Sequence, residues 1–283
     1  MIKTLLLIPL LALQFQSVDN AVQQGKDYPA CEQTLLEMLP QAENAKEKAS
    51  VLWRLARVSY LIGEDQTDKM ARREQFNKGI AYAERGCREN PRDPQCLMWH
   101  CANVGRECQT HPLMEQASAV PVMTQDLSRI LNDVDPRLSE AWQALSELFY
   151  HHPLKSNDSA INYARTAALN APKDEARVIA YNYLATLLYE RNWSANKRAS
   201  QAADHSAKLA KLAGGSNIDR YALADGMKLT LPWTDKALGE LSDREEARLI
   251  LAYAESRYKT IGNPGKMERD EYKNLLKLKQ QWK

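Results

Sequence analysis

Apolar residues recur along most of this chain at the spacing of one helical face. Between 45 and 63 they fall at Val51, Leu55, Val58 and Ile62, and between 69 and 88 at Phe76, Ile80, Ala83 and Cys87. Offsets of three and four keep side chains on one side of a helix of 3.6 residues per turn, so the two stretches predict an antiparallel helical pair. A second pair is expected from CLMWHCANVGR, after Pro94, and a return through Met114 to Asn132 that Pro121 starts or interrupts. The clearest pair is 135–171. Trp142, Leu145 and Phe149 form the stripe of its first helix, Pro153 closes that helix, and Asp158 or Ser159 is placed to cap a second carrying Ile161, Ala164 and Ala168.

A fourth pair is expected over 174–190 and 195–212, with Asp174 and Glu175 in the opening turn. Its stripe of Ile179, Ala180, Tyr183, Leu184, Leu187 and Leu188 is broad enough for burial on two sides, and Gly214-Gly215 ends the series. A shorter amphipathic segment at 30–38, stopped by Pro40, precedes the first pair. Beyond 216 the pattern stays helical: a short element at 217–228, a hinge at Pro232-Trp233, and a capping box at Ser242 to Glu245 opening a helix that runs to Ile261. Gly262-Asn263-Pro264-Gly265 breaks it, and a last helix at 266–283 carries Tyr272, Leu275, Leu276 and Leu278 with Lys on its other face. No helix of such a pair covers its own apolar face, so the pairs must stack on neighbours.

Trp53, Trp99 and Trp142 occupy comparable places in successive first helices, and the returning helices close at Asn90-Pro91, Asp135-Pro136 and Ala171-Pro172. Helix-turn-helix units of roughly 34 residues with a terminal Pro are the tetratricopeptide signature, here at longer and uneven intervals. Prolines at each turn and the lack of sustained heptads disfavour a coiled coil. Only 11 Gly and 3 Phe in 283 residues also favour helix over sheet. Net charge is +2, from 38 basic and 36 acidic residues closely interspersed, which lacks the clustered cations of a nucleic-acid surface.

Lys3 and the apolar run from Thr4 to Leu13, followed by a polar exit at 14–20, have the form of a secretory signal peptide. The run is too short to span a bilayer, which takes ~20 residues, so no stable membrane span is expected; the other reading is an N-terminal helix tucked into the core. The expected organisation is a signal peptide at 1–20, a helical repeat domain at 21–215, and a C-terminal helical cap or extension at 216–283, in an exported, periplasmic protein.

Cys31, Cys87, Cys96, Cys101 and Cys108 are an odd set, so in an oxidising compartment at least one stays unpaired within the chain. Cys87 and Cys96 flank the turn at 90–94 and are the candidate disulfide, provided they do not share one continuous helix. Cys96, His100, Cys101, Cys108 and His111 form a compact set of soft ligands, yet there is no CxxC and the spacing fits no closed zinc site, so no metal is assigned. No GxSxG, P-loop, GxGxxG or HExxH is present, and His151-His152 are adjacent residues that point to different sides. No catalytic residue and no cofactor is therefore expected. The chain reads as a non-enzymatic module binding a protein or peptide on a concave face, with Trp99, Asn103, Arg106, Trp142, Tyr181 and Tyr183 as candidate lining residues. Aromatic residues at helical spacing more often pack in a core, and that is the competing reading of each.

The segments VLWRLARVSYL, GIAYAERGCRENPRDPQCLMWHCANVGR, DPRLSEAWQALSELFYHHP and INYARTAALNAPKDEARVIAYNYLATLLYERN resemble a divergent tetratricopeptide fold, over about residues 51–200. That fold is found in the regulator of microtubule dynamics family and in the T-component, a periplasmic lipoprotein associated with TRAP transporters. The resemblance implies an all-α protein, a right-handed α-solenoid of helix-turn-helix hairpins with extra C-terminal capping helices. It also implies an adaptor that contacts a partner, a periplasmic solute-binding protein among the candidates, or shelters an apolar ligand as an accessory of a TRAP-type system. No cysteine follows the apolar run, so the lipid anchor of the T-component does not carry over. A Cys/His enzyme built on residues 96–111 is the third reading and needs those side chains to converge.

Overall fold

The computed structural model describes residues 10–150, 157–173, 175–212 and 214–282, and among these every regular element is helical. None of the described helices is long and apolar enough to cross a membrane. The chain divides into two compact units, 1–126 and 127–283.

In the first unit α1 (Leu10–Gln24) and α2 (Tyr28–Met38) lead into α3 (Ala45–Asp65), α4 (Lys69–Glu89) and α5 (Pro94–Cys108). Each of the last three starts on a side chain that accepts a free N–H of the first turn: Asn44 from Glu47, Asp68 from Ala71, and Asp93 from Gln95 and Cys96. Pro94 stands where its missing N–H costs nothing. Val51, Leu55, Val58 and Ile62 of α3 are buried as their period predicts, packed with Leu35 and Met38 of α2 and Val18 of α1. Asp19 of α1 accepts from Arg54 (2.8 Å) and Arg57 of α3, and the Phe15 ring lies 4.2 Å from the Arg54 guanidinium.

On α4 the buried stripe is Phe76, Gly79, Ala83 and Gly86, in place of the expected Phe76, Ile80, Ala83 and Cys87. Two glycines bring this face close enough to its neighbours that a methyl at Gly79 would overlap the Asn103 amide. A reading that scores only apolar side chains counts glycine as a gap. After α5 the chain turns through α6 (Leu113–Gln116) into α7 (Ala119–Arg129). The start of α7 packs in this unit: Met123 meets Gly105, and Asp126 accepts from His100 at 2.6 Å.

The second unit is built around α9 (Asn157–Leu169), paired with α8 (Ser139–Tyr150) before it and α10 (Val178–Arg191) after it. Every residue from Ala160 to Ala168 is buried, so the polar ones need partners inside the protein. They find them far along the chain: Asn162 donates to the Ala222 carbonyl and to Asp225, Tyr163 to the Ile218 carbonyl, and Arg165 to Glu246. Asp158 and Ser159 lie inside the first turn of α9 rather than capping it, and Asp158 instead accepts from Arg191 at 3.1 Å. Pro153, His151 and His152, expected at the end of α8, lie outside the described residues, as do Asp174 and residues 1–9.

The expected fourth pair forms differently. Helix α10 begins at Val178, not near 174, because Arg177 takes a left-handed conformation (φ 49°) that no helix continues through, and Glu268 accepts the Val178 N–H. Helix α11 (Ala195–Lys211) packs on the 3-10 turns Ala224–Gly226 and Leu238–Glu240, while α10 packs on α13 (Asp243–Thr260) and α14 (Lys266–Gln281). Between them lies α12 (Asn217–Tyr221), shorter than the expected 217–228. The Ser242/Glu245 capping box opens α13 as predicted. Trp233 is an anchor, not a hinge. It is buried against Tyr181 and Tyr253 and donates to Glu246 at 3.3 Å.

Glu246 and Asp243 are fully buried at the start of α13. Glu246 takes Arg165 (2.9 Å) and Arg198, and Asp243 takes Arg191 (2.8 Å), Arg198 (3.2 Å) and the Trp193 N–H (2.8 Å). Burial alone would raise the Glu246 pKa, but the two guanidiniums outweigh it and hold the carboxyl below its ordinary range.

Candidate functional site

Three helices of the first unit converge on a cleft of about 330 Å³ lined by Thr67, Lys69, Arg72, Arg106, Gln109 and Thr110. Helix α4 presents Lys69 and Arg72 from its first turn because Asp68 caps it there, and the last turn of α5 presents Arg106. Arg106 is braced on three sides: its Nε donates to the Tyr60 hydroxyl (3.0 Å), one terminal nitrogen to Gln109 (3.0 Å) and the other pairs with Glu64 (3.2 Å). Glu64 also holds Arg72 at 3.1 Å. Trp99 closes the wall behind Tyr60, edge to face at 5.6 Å.

Three cations thus line the cleft, and the carboxylate pairing two of them lies outside the lining. No acidic residue is in the lining itself, and clustered cations at a cleft attract anions. The buried Arg72 Nε has no partner. Two guanidiniums held in place by a shared carboxylate can donate in parallel to an entering carboxylate or phosphate. Beside the cleft, Glu107 accepts from Arg73 (3.1 Å) and His111 (2.7 Å); hydrogen bonds to Glu107 and Glu115 raise the His111 pKa.

Of the residues singled out from sequence, Arg106 lines the cleft and Trp99 backs it. Asn103 is fully buried and donates to the Ala56 and Trp99 carbonyls, tying α5 to α3. Trp142 is fully buried, stacked on Tyr163 and donating to the Pro136 carbonyl; Tyr181 is buried in the second core, where loss of water pushes its pKa up to about 12. These three present no surface to a partner: their periodic positions are the core stripe itself. Tyr183 lines a separate cavity of the second unit.

Cys87 and Cys96 do meet across the turn, as thiols rather than a disulfide, and hydrogen bonding to Cys87 followed by burial raises the Cys96 pKa far above an ordinary thiol. The soft-ligand set does not converge. His100 turns to Asp126, His111 to Glu107, Cys101 to the Met123 carbonyl and Cys108 to that of Gly105. Among the described residues no three His, Cys, Asp or Glu side chains are placed to hold a metal. Sequence reasoning missed Tyr60, Glu64, Thr67, Lys69, Arg72, Gln109 and Thr110. Lys69 and Arg72 in the first turn of a helix, where cations oppose the dipole, were the available signal.

Residues 14–132 match the model of the family described as regulator of microtubule dynamics protein 1-3, and this stretch, less than half of the chain, holds the whole cleft. No curated protein matches the chain.

Proposed function

We propose that this protein is a non-enzymatic adaptor whose first unit captures a partner protein by an acidic segment entering the Lys69–Arg72–Arg106 cleft. The cleft's three lining cations, two of them steadied by Glu64, carry this reading. Its rigid bracing favours it too, since guanidiniums already held in place lose little freedom when a carboxylate arrives. The match to a helical family over 14–132 agrees with an interaction domain.

The tetratricopeptide-like solenoid belongs to the same proposal: α3 and α5 are in contact, as first helices of successive hairpins are in such an array. Export, drawn from Lys3 and the apolar run Thr4 to Leu13, belongs to it as well, but without removal of residues 15–20, because Val18 and Asp19 are packed on α3, as the other reading of this segment expects. Sheltering of an apolar ligand requires an apolar chamber. Each of the two cavities described here has charged side chains in its lining, Glu147 and Glu271 in one and Lys69, Arg72 and Arg106 in the other, which does not suit a wholly apolar ligand.

Fluorescence anisotropy of a labelled hexaglutamate peptide against the full chain tests the proposal, with hexaglutamine as control. We expect hexaglutamate alone to bind, about tenfold more weakly with Lys69→Glu and progressively more weakly as salt rises through 0.15 M, where screening acts beyond about 8 Å. Equal binding of the two peptides, or an unchanged affinity in Lys69→Glu, refutes it.

A further inference from the structure

Two sulfurs meet where α4 hands over to α5. Cys87 is in the last turn of α4 and Cys96 in the first turn of α5, on either side of the turn at 90–93. Gly86 makes the approach possible: a methyl there would lie 2.6 Å from Cys96 Sγ, so only a residue without a side chain lets that sulfur reach α4. Cys96 is fully buried, with the Ala49 carbonyl of α3 at 3.7 Å, whereas Cys87 is only half-buried.

The two thiols are not equivalent. Hydrogen bonding to Cys87, and after it burial, holds the proton on Cys96, and the Asp93 charge acts the same way. Cys96 is thus the donor of the pair and Cys87 the acceptor. A cation stands on the same side. One turn along α5 from Cys96, His100 donates to Asp126 at 2.6 Å. Burial opposes the imidazolium, but the Asp126 hydrogen bond and charge, then Cys87 and Glu84, outweigh it. The attraction is mutual: an imidazolium favoured by negative charge on Cys87 favours that charge in return. Glu84, 3.9 Å from His100 Nε2, is the opposing carboxylate, but its side chain is 51% exposed and screened by water. Cys108 lacks such a setting, since burial and the Glu107 charge both raise its pKa.

We propose that Cys87 and Cys96 are an oxidation site, closed to a disulfide by exchange with a low-molecular-weight disulfide. The Cys87 thiolate attacks one sulfur of the oxidant, forming a mixed disulfide and releasing the other half as a thiolate that takes up a proton. The negative charge at Cys87 is then gone, Cys96 gives its proton to water, and its sulfur attacks Cys87 Sγ and expels the second half of the oxidant. Two protein thiols are oxidised and one external disulfide is reduced to two thiols. The new bond fastens α4 to α5 across residues 88–95, and these are the helices that present Lys69, Arg72 and Arg106. The site does not depend on what the cleft binds.

Equilibrating the full chain in glutathione buffers of rising oxidised fraction, trapping the remaining thiols with N-ethylmaleimide and digesting with trypsin tests this. Cleavage after Arg88 and Arg92 separates the two cysteines, so mass spectrometry reads the link as two joined peptides. We expect the 87–96 link with Cys108 alkylated, and at least about tenfold slower exchange of those α5 amides that open with the whole unit. Cys96→Ser should stop with glutathione held on Cys87. His100→Gln, with an unchanged circular dichroism spectrum, should slow iodoacetamide alkylation of Cys87 about tenfold near pH ~7. No 87–96 link at any buffer ratio, a link from either cysteine to Cys31, Cys101 or Cys108 in its place, or an alkylation rate of Cys87 unchanged by His100→Gln would overturn the assignment.

Discussion

Replacing Glu246 by Gln isolates the interaction on which the second unit most depends. The side chains of Glu246, Arg165 and Arg198 are 0%, 1% and 3% exposed, so the substitution strands guanidinium charge where water cannot reach it. Breaking a buried pair from one side costs about 3–5 kcal/mol. At 2–4 °C per kcal/mol for a body of about 150 residues, the transition should fall by roughly 6–20 °C. Hydrogen exchange along a urea series, read on peptides of α9 and α13, reports this unit whatever the other does. Arg165→Met/Glu246→Leu removes charge from both sides, and Arg198 keeps Asp243 (3.2 Å) and the Leu241 carbonyl (2.9 Å). The double variant should therefore recover at least half of the loss. The acid limb gives a second check. A carboxyl whose folded pKa is depressed contributes stability above its unfolded value, near 4.3, and loses it as pH falls through the folded pKa. The gap between wild type and Glu246→Gln should thus narrow below about pH 4. A loss under about 1 kcal/mol at pH 7 would show that the pairing energy only balances desolvation and would refute the reasoning.

Gly79→Ala should destabilise the first unit by about 1–3 kcal/mol in urea, because its methyl overlaps the Asn103 amide held by two carbonyls; an unchanged midpoint would place that contact wrongly. Burial opposes protonation of His100, but the hydrogen bond and charge of Asp126, with Cys87 and Glu84 beyond, outweigh it and raise its pKa above 6.5. Its stabilisation is then complete below about pH 6.5 and lost as pH rises through the folded value, and Asp126→Asn should lower the NMR midpoint of His100; a stationary midpoint counts against the pair. Asp19→Asn leaves Arg54 and Arg57, whose side chains are 13% and 18% exposed, short of their shared carboxylate. Amides of α1 should lose about 1–3 kcal/mol of exchange protection, whereas undiminished protection would mean that α1 is held by Val18 and its apolar contacts alone.

What could be read from sequence was whatever a single helix states about itself. The extents of α3, α4 and α13, the capping box of α13, and the stripe Val51-Leu55-Val58-Ile62 follow from local spacing. What escaped depends on a second helix. The small face of α4 is defined by what approaches it, and the start of α10 by a carboxylate ninety residues further on, at Glu268. The cleft divides the same way. Arg106 stood out as a polar residue beside an apolar stripe, but the Lys69 and Arg72 that give it meaning belong to another helix, brought near by the packing of α4 on α5. Trp142 and Tyr181 are buried for a related reason: Trp142 belongs to the apolar stripe of α8 itself, and Tyr181, beside the stripe of α10, joins the core because that helix is covered on more than one face.

The same physics explains why the succession of hairpins changes character after α9. A helix in a repeat array needs an apolar stripe toward its neighbours and a polar remainder toward water. Helix α9 has no side left for water, yet carries Asn162, Arg165 and Thr166 on its buried surface. Thr166 answers to its own helix, through the Asn162 carbonyl, but Asn162 and Arg165 need acceptors from elsewhere, and residues 222–246 supply them. Once Glu246 is committed to Arg165, α13 must lie against this unit, and α10 packs on α13 rather than on the helix that follows it in sequence. The segment beyond Gly215 is accordingly part of the second core: Trp233, Ile250, Leu251, Leu275 and Trp282 share one apolar cluster with Ile161, Tyr181 and Leu184. Polar residues buried in one helix thus decide which distant stretch of chain completes the unit.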